Sequence, residues 1–213
     1  WRGAARRAEL LQSKRCVVTT LNLRWNWLGE TGAARIASVL ELNNTLIELD
    51  LWKNDVGPGA AAAIRDALRH NQSLERLCLW GNRLRDVGIV LVAIGLAEIS
   101  CLLRLDVSDN QLGLEGFEAL DKALHYPKCT LRHLSCGQNP MSSTRGARAL
   151  AAALPASRLA AHDVEGNLVG DAGAAAISAA LTSSSSNNTL TELNLASIDI
   201  STPGANALVA ACS

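Results

Sequence analysis

The side chains best suited to catalysis or metal binding in this chain are four histidines and six cysteines, and their spacing suits neither task. The histidines lie far apart, without the short spacing that metal ligands need: they are His70, His125, His133 and His162. The cysteines include no C-x-x-C pair of the kind that zinc sites and redox pairs use: they are Cys16, Cys78, Cys101, Cys129, Cys136 and Cys212. The sequence also lacks a phosphate-binding P-loop, a G-x-S-x-G nucleophile turn and a dinucleotide fingerprint. We therefore predict that the protein is not an enzyme and has neither a cofactor nor a metal site.

Net charge and hydropathy limit the kinds of partner. The chain has 20 basic and 20 acidic residues, so its formal net charge is zero. This balance argues against nucleic acid as a partner, since nucleic-acid binding leaves a basic surface. No apolar run reaches the roughly 18 to 20 residues of a membrane span, so no membrane partner is expected. Scattered cysteines at packing positions behave as small apolar groups when reduced, which predicts free thiols and a cytoplasmic location.

Tryptophan and arginine are the residue types that most often dominate the binding energy of protein interfaces. Four of the five tryptophans fall within residues 25–80, namely Trp25, Trp27, Trp52 and Trp80. Two arginines, Arg76 and Arg104, occur nearby in the sequence. Whether these side chains form one surface depends on the elements that position them.

A repeated template, L-x-x-L-x-L-x-x-N-x-(L/V/I), supplies those elements. Copies begin near residues 18, 46, 74, 102, 131, 159 and 190, with a period of 28 to 31 residues. A fixed period of this size is typical of a solenoid, in which each repeat contacts only its neighbours.

Each copy reads as a short strand followed by a helix. In the second copy, alternate side chains face the core: these are Leu46, Leu49 and Leu51. The outward side chains between them are Glu48, Asp50 and Trp52. An asparagine ends the strand in the first six copies, whereas the seventh copy has Ile198 at that position. This asparagine is predicted to bond turn backbone and to form a ladder with its neighbours. Thr31, Asp86 and Asp171 are predicted to cap the helices that follow them. Asn43, Asn71 and Asn187 match the glycosylation sequon but are interpreted as turn residues before strands.

These residues resemble the ribonuclease-inhibitor-like leucine-rich repeats, and the resemblance covers about residues 10–213. It implies an α/β solenoid shaped like a horseshoe, with a parallel inner sheet and outer α-helices, in about seven repeats. We expect one domain over residues 1–213 that is a fragment of a longer array, with residues 1–17 ending a preceding repeat. Three places depart from the pattern: one extra residue within 139–144, His162 at a core leucine position, and a serine-rich loop at 182–188.

Strands in a sheet lie about 4.8 Å apart, so side chains at one template position become neighbours across repeats. This predicts that Trp52 and Trp80 stand side by side, with Trp25 and Trp27 in the adjoining loop. It also predicts a mixed-charge patch that largely neutralises itself, made of Glu48, Asp50, Arg76, Arg104 and Asp106. Two structural explanations stay open for the tryptophans. Trp25 and Trp27 could pack against a preceding repeat, and Trp52 and Trp80 could simply stack on each other.

The favoured functional hypothesis is a non-catalytic module or scaffold that binds a protein partner on its concave face. The predicted contact residues are Trp52, Trp80, Arg76, Arg104, Glu48, Asp50, Trp25 and Trp27. The resemblance implies modules such as those of ribonuclease inhibitor, the sensing regions of NOD-like receptors and ciliary scaffolds. An alternative is a regulator of a small GTPase resembling Ran GTPase-activating proteins, although the acidic tail of that family is not present. A purely structural spacer is the third possibility.

Overall fold

The computed structural model describes residues 16–98, 100–139, 144–183 and 189–211, and within them every predicted repeat forms a strand and a helix. The strands are β1 (Thr20–Asn22), β2 (Glu48–Asp50), β3 (Arg76–Cys78), β4 (Arg104–Asp106), β5 (His133–Ser135), β6 (Ala161–Asp163) and β7 (Glu192–Asn194). The helices are α1 (Gly29–Leu40), α2 (Pro58–His70), α3 (Arg85–Ala97), α4 (Leu114–Leu124), α5 (Thr144–Ala156), α6 (Gly170–Leu181) and α7 (Thr202–Ala211). Outside the described residues lie Cys212, residues 184–188 of the predicted serine-rich loop (which include the sequon residue Asn187), the extra-residue region at 140–143, and residues 1–15 of the predicted preceding repeat.

The seven strands form one parallel sheet in chain order. Equivalent template positions pair directly, so Leu49 lies between Leu21 and Leu77. Parallel strands that follow one another need a crossover connection, which the helix of each repeat provides. Consecutive helices pack against each other along the array in the described part of the chain. The predicted α/β solenoid with a parallel sheet and a layer of helices is confirmed.

An aliphatic core fills the space between the sheet and the helices. In the second repeat the inward template positions Leu46, Leu49 and Leu51 are at most 1% exposed, and Ile64 and Leu68 of α2 close the core from the other side. Burial of each such side chain contributes about 1.5–3 kcal/mol. Leucine at alternate strand positions and at four-residue helix spacing therefore determines which face of each element turns inward.

The asparagines at the strand ends bond one repeat to the next. The Nδ2 of Asn54 donates to the carbonyl of Leu23 at 2.7 Å, and its Oδ1 accepts the N–H of Asn26 at 3.0 Å. Asn82 repeats both bonds with the carbonyl of Leu51 and the N–H of Asn54, each at 3.0 Å. These amides are buried, where an unpaired backbone group would cost about 1–3 kcal/mol. The predicted structural role is confirmed.

The asparagines that precede the strands are also buried turn residues. The Nδ2 of Asn71 donates to the carbonyl of Leu40 at 2.6 Å, and its Oδ1 accepts the N–H of Leu74 at 2.6 Å. The Oδ1 of Asn43 likewise accepts the N–H of Leu46 at 2.8 Å. A buried amide with these bonds leaves no room for a sugar, so the interpretation as turn residues is confirmed.

The predicted helix caps are wrong in detail. Asp86 is the second residue of α3, and it accepts no capping bond from the described residues of its own helix. Its Oδ1 instead accepts the N–H groups of Gly113 and Gly116, at 2.7 and 3.0 Å, at the start of the next helix. A Cβ at Gly116 would lie 2.7 Å from that oxygen, so glycine makes room for the carboxylate. Asp171 caps α7 in the same way, and Thr31 lies inside α1. The starts of α4 and α7 are therefore capped by an aspartate of the preceding repeat.

We predict that Asp86→Ala lowers the free energy of unfolding by about 1–2 kcal/mol, because the first N–H groups of α4 lose their acceptor. Urea unfolding followed by circular dichroism measures this change. The control is Glu115→Ala, at the same position of the next helix, where the side chain is exposed. An equal loss in both variants would show that the capping bond contributes nothing.

Candidate functional site

The outward side chains of the sheet line a groove with a volume of about 360 Å³. It extends from β2 to β7, and its charged or titratable lining includes Glu48, Arg76, Arg104, Asp106, His133 and Glu192. Residues at the third template position, such as Glu48, and at the fifth, such as Asp106, therefore line the same surface. The stacking of equivalent positions along the sheet predicts this. The tryptophans lie beside this groove rather than within its lining.

The charged patch neutralises itself only in part. Arg76 Nε lies 3.0 Å from Glu48 Oε2. Asp50 is only 4% exposed, and its Oδ2 accepts a hydrogen bond from Arg24. Arg104 is exposed and forms no ion pair with any described residue. Asp50 is thus withdrawn from the surface, whereas Arg104 presents an unneutralised charge to the groove.

Three indole rings form a cluster at the end of the groove near β1. The centroids of Trp52 and Trp80 are 5.0 Å apart with an edge-to-face angle of 85°, and those of Trp25 and Trp52 are 6.3 Å apart. We call Trp25, Trp52 and Trp80 the tryptophan cluster. Trp27 makes no ring contact with a described residue and is 78% exposed. The ladder therefore brings together three of the four predicted tryptophans.

Two cations that the sequence prediction left out of the site complete the cluster. The guanidinium of Arg24 lies 4.8 Å from the ring centroid of Trp52. The Lys53 ammonium lies 5.0 Å from the centroid of Trp25 and 4.9 Å from that of Trp80. The sequence could have indicated both cations. Arg24 occupies the same template position as Trp52, the seventh, and Lys53 occupies the same position as Trp25, the eighth.

The loop after β1 holds tryptophan in an unfavourable backbone conformation. Trp25 and Trp27 have φ values of 55° and 50°, in the left-handed region. That region costs a residue with a side chain roughly 1–2 kcal/mol. Gly81 and Gly166, at the template position of Trp25, adopt it without this cost. Two exposed tryptophans at such positions do not serve backbone stability.

Burial shifts the pKa values of several titratable groups under the groove. Burial raises the pKa of the Cys78 thiol to about 12, so it stays protonated at neutral pH. Burial and, to a smaller extent, nearby Arg104 lower the pKa of His133. Burial raises the pKa of Asp106. No group of three metal-ligating side chains forms within the described ranges.

His162 is a buried core residue. It replaces the leucine of the other strands, is 3% exposed, and its Nδ1 lies 3.1 Å from the carbonyl of Leu134. That distance makes Nδ1 the protonated nitrogen, donating to the carbonyl. Burial lowers the pKa of His162 to about 4. Its neutral form is therefore the one that the fold accepts.

Comparison with known proteins places this architecture in a family. A family model described as a leucine-rich repeat matches residues 16–37, 99–120 and 186–209. Mouse NACHT, LRR and PYD domains-containing protein 12 is 31% identical over 126 residues, which cover 57% of this chain and 12% of that protein. The tropomodulin C-terminal domain of Caenorhabditis elegans superposes with a TM-score of 0.54 at 9% identity, over 71% of this chain and 89% of that one.

The fold and these matches define a protein built of leucine-rich repeats. The chain is similar to leucine-rich-repeat proteins in its fold and in the three segments that the family model matches. It spans only about an eighth of the length of the mouse relative, and its likeness to tropomodulin concerns the fold alone. No helix in the described ranges is long and apolar enough to cross a membrane.

We predict that His162→Leu removes a pH-dependent loss of stability. The pKa of His162 is about 4 in the folded chain and about 6.5 when unfolded, so between these values the unfolded chain binds more protons. The free energy of unfolding of the wild type therefore falls as the pH drops through this window, by an amount on the order of 3 kcal/mol. Urea unfolding at a series of pH values should show this slope in the wild type and a shallower one in the variant. Parallel slopes would contradict the assignment.

We predict that Trp27→Gly leaves the free energy of unfolding within about 1 kcal/mol of the wild type, or raises it. Glycine relieves the left-handed strain, and its greater freedom in the unfolded chain offsets part of that gain. The matched variant is Trp52→Gly, which removes a half-buried ring outside the left-handed region and should cost roughly 2 kcal/mol or more. Urea unfolding of the two variants measures both values. A comparable loss for Trp27→Gly would show that this indole is structural.

Proposed function

We propose that this chain is a non-catalytic recognition module that binds a protein partner on the outward face of its sheet. The observation that carries the proposal is the groove of about 360 Å³ adjoined by the tryptophan cluster. Its lining combines Arg104, which pairs with no carboxylate in the described part of the chain, with the ion-paired Arg76 and Glu48. Charged side chains in such a groove give specificity, and half-exposed indoles give contact area.

The chemistry of the surface matches that of protein interfaces. Tryptophan and arginine are enriched among interface hot spots, where they lie in partly preformed pockets. Trp25 is 56% exposed beside half-buried Trp52 and Trp80, so one ring is open to a partner and two support it. Trp27 adds an exposed ring nearby in the chain, and Asp50 contributes by holding Arg24.

Two finer assignments belong to the same proposal. The helices of 10 to 13 residues in each repeat favour the ribonuclease-inhibitor-like subclass. The described cysteines, among them buried Cys129 and Cys136, are free thiols, which favours a reducing, cytoplasmic location and a scaffold role there. The alternative of a small-GTPase regulator gains no support from the geometry of the described residues and stays a prediction.

We predict that Arg104→Glu and the double substitution Trp52→Ala/Trp80→Ala lose the same protein partners in a quantitative affinity capture from cell extract. Arg104 has no partner among the described residues, so reversing its charge disturbs binding without disturbing the fold. The control is Tyr126→Ala, which removes an exposed aromatic ring near the end of α4. Equal recovery of every partner by the wild type and both groove variants would rule out this surface as the binding site.

A further inference from the structure

The Lys53 ammonium occupies a fixed place in the tryptophan cluster. Trp25 and Trp80 bracket it at 5.0 and 4.9 Å. Attraction between a cation and the face of an indole contributes about 0.5–1 kcal/mol at exposed sites and more where water is excluded. The charge of Lys53 is therefore held in one position, whereas a typical surface lysine moves freely.

The backbone around Lys53 helps to hold this position. Lys53 has a φ of 48°, in the left-handed region, and its N–H donates to the carbonyl of Trp80 at 3.0 Å. A Cβ at Gly81 would lie 2.7 Å from Lys53 Cγ and 3.0 Å from Lys53 Cε. The lysine stem thus lies against the backbone of the next repeat, where glycine provides the space. Much of the roughly 2 kcal/mol of rotamer entropy of a lysine is lost on folding, before any partner arrives.

The positive charge of Lys53 is uncompensated, unlike those of its neighbours. Arg24 is paired with Asp50, and Arg83 Nε lies 3.0 Å from Asp55 Oδ1. In the part of the chain that the structure describes, no carboxylate lies within 4.0 Å of Lys53 Nζ. The cluster therefore presents one fixed positive charge that lacks a counter-charge.

The cations that lie over the indole rings also determine which charge on a partner is complementary to the cluster. A free aromatic cage would accept a cation from a partner. Here Lys53 lies over one face each of Trp25 and Trp80, and Arg24 lies over Trp52. An incoming cation would meet two like charges beside these rings, whereas the exposed face of Trp25 stays open to an apolar group. A negatively charged group is complementary to the same surface.

Building on the proposed recognition function, we propose that the tryptophan cluster and Lys53 dock the carboxylate of an aspartate or glutamate in a protein partner. An apolar side chain of the same segment packs on the exposed ring of Trp25. A carboxylate matches a single ammonium in charge. A phosphate is recognised best by several donors or by a bidentate arginine, and Arg24, the arginine of the cluster, is already paired with Asp50. The partner segment is therefore acidic and apolar.

Three small probes test this chemistry by titration into ¹⁵N-labelled protein, with the indole N–H signals of Trp25, Trp52 and Trp80 as the readout. The first, 3-phenylpropionate, carries a carboxylate and an apolar ring. The second, 3-phenylpropanamide, is its neutral counterpart, and phenyl phosphate is the third. We expect saturable shifts with 3-phenylpropionate, and binding about threefold to fivefold weaker for the amide, as is typical of an exposed ion pair.

The variants separate the charge of Lys53 from the rings. Lys53→Met should bind the acid and the amide equally, and Lys53→Arg should keep the preference for the acid. Lys122→Met, the same change on exposed α4, is the matched control and should behave as the wild type. Equal binding of acid and amide by the wild type overturns the proposal, as does tighter binding of phenyl phosphate or a saturable shift with tetramethylammonium. None of these measurements involves Arg104. The carboxylate proposal can therefore be contradicted while the groove still binds a partner, so its failure is distinguishable from failure of the proposed function.

Discussion

The exchange of hydrogen bonds between consecutive strand ends is the constraint on which this molecule depends. The strands are only three residues long, and hydrogen bonds between consecutive turns continue the pairing beyond them. The Asn54 amide reaches the turn of the preceding repeat at Leu23, and so helps to fix the spacing and register of both repeats. The same bond to the preceding repeat is made by Asn82, Asn110, Asn139 and Asn167. Because these bonds recur from repeat to repeat, every outward side chain acquires a defined neighbour on either side. The arrangement of side chains on the surface of the sheet therefore depends on the hydrogen bonds in its turns.

This dependence explains what could be predicted from the sequence. The period of the leucines and asparagines gives the strand register, so the pairing of Glu48 with Arg76 and of Trp52 with Trp80 follows from position alone. Long side chains escape that reasoning because they reach diagonally. Arg24, at a seventh position, bonds Asp50, at a fifth position of the next repeat.

The helix caps were mispredicted for a related reason. A carboxylate in the first turn of a helix usually serves that helix, and the sequence around Asp86 suggests nothing else. In a solenoid the start of the next helix lies equally close, and glycine at 113 and 116 leaves it open to the same oxygen. A pattern within one repeat cannot reveal a bond that only the stacking of two repeats creates. The left-handed backbone at Trp25 is likewise not evident from its own repeat, and only the glycines at 81 and 166, at the same position of other repeats, indicate it.

In the second repeat, one side chain belongs both to the buried scaffold and to the binding surface. Asp50 points outward by template position, yet it is 4% exposed and bonds two parts of the surface at once. Its Oδ1 accepts the N–H of Trp52 at 3.0 Å, and its Oδ2 holds the guanidinium that lies over the ring of Trp52. The same carboxylate therefore fixes the backbone of the central indole and neutralises the cation on its face. Because Asp50 neutralises Arg24, Lys53 carries the uncompensated charge of the cluster among the described residues. The buried carboxylate of Asp50 therefore determines which charge the exposed rings can recognise.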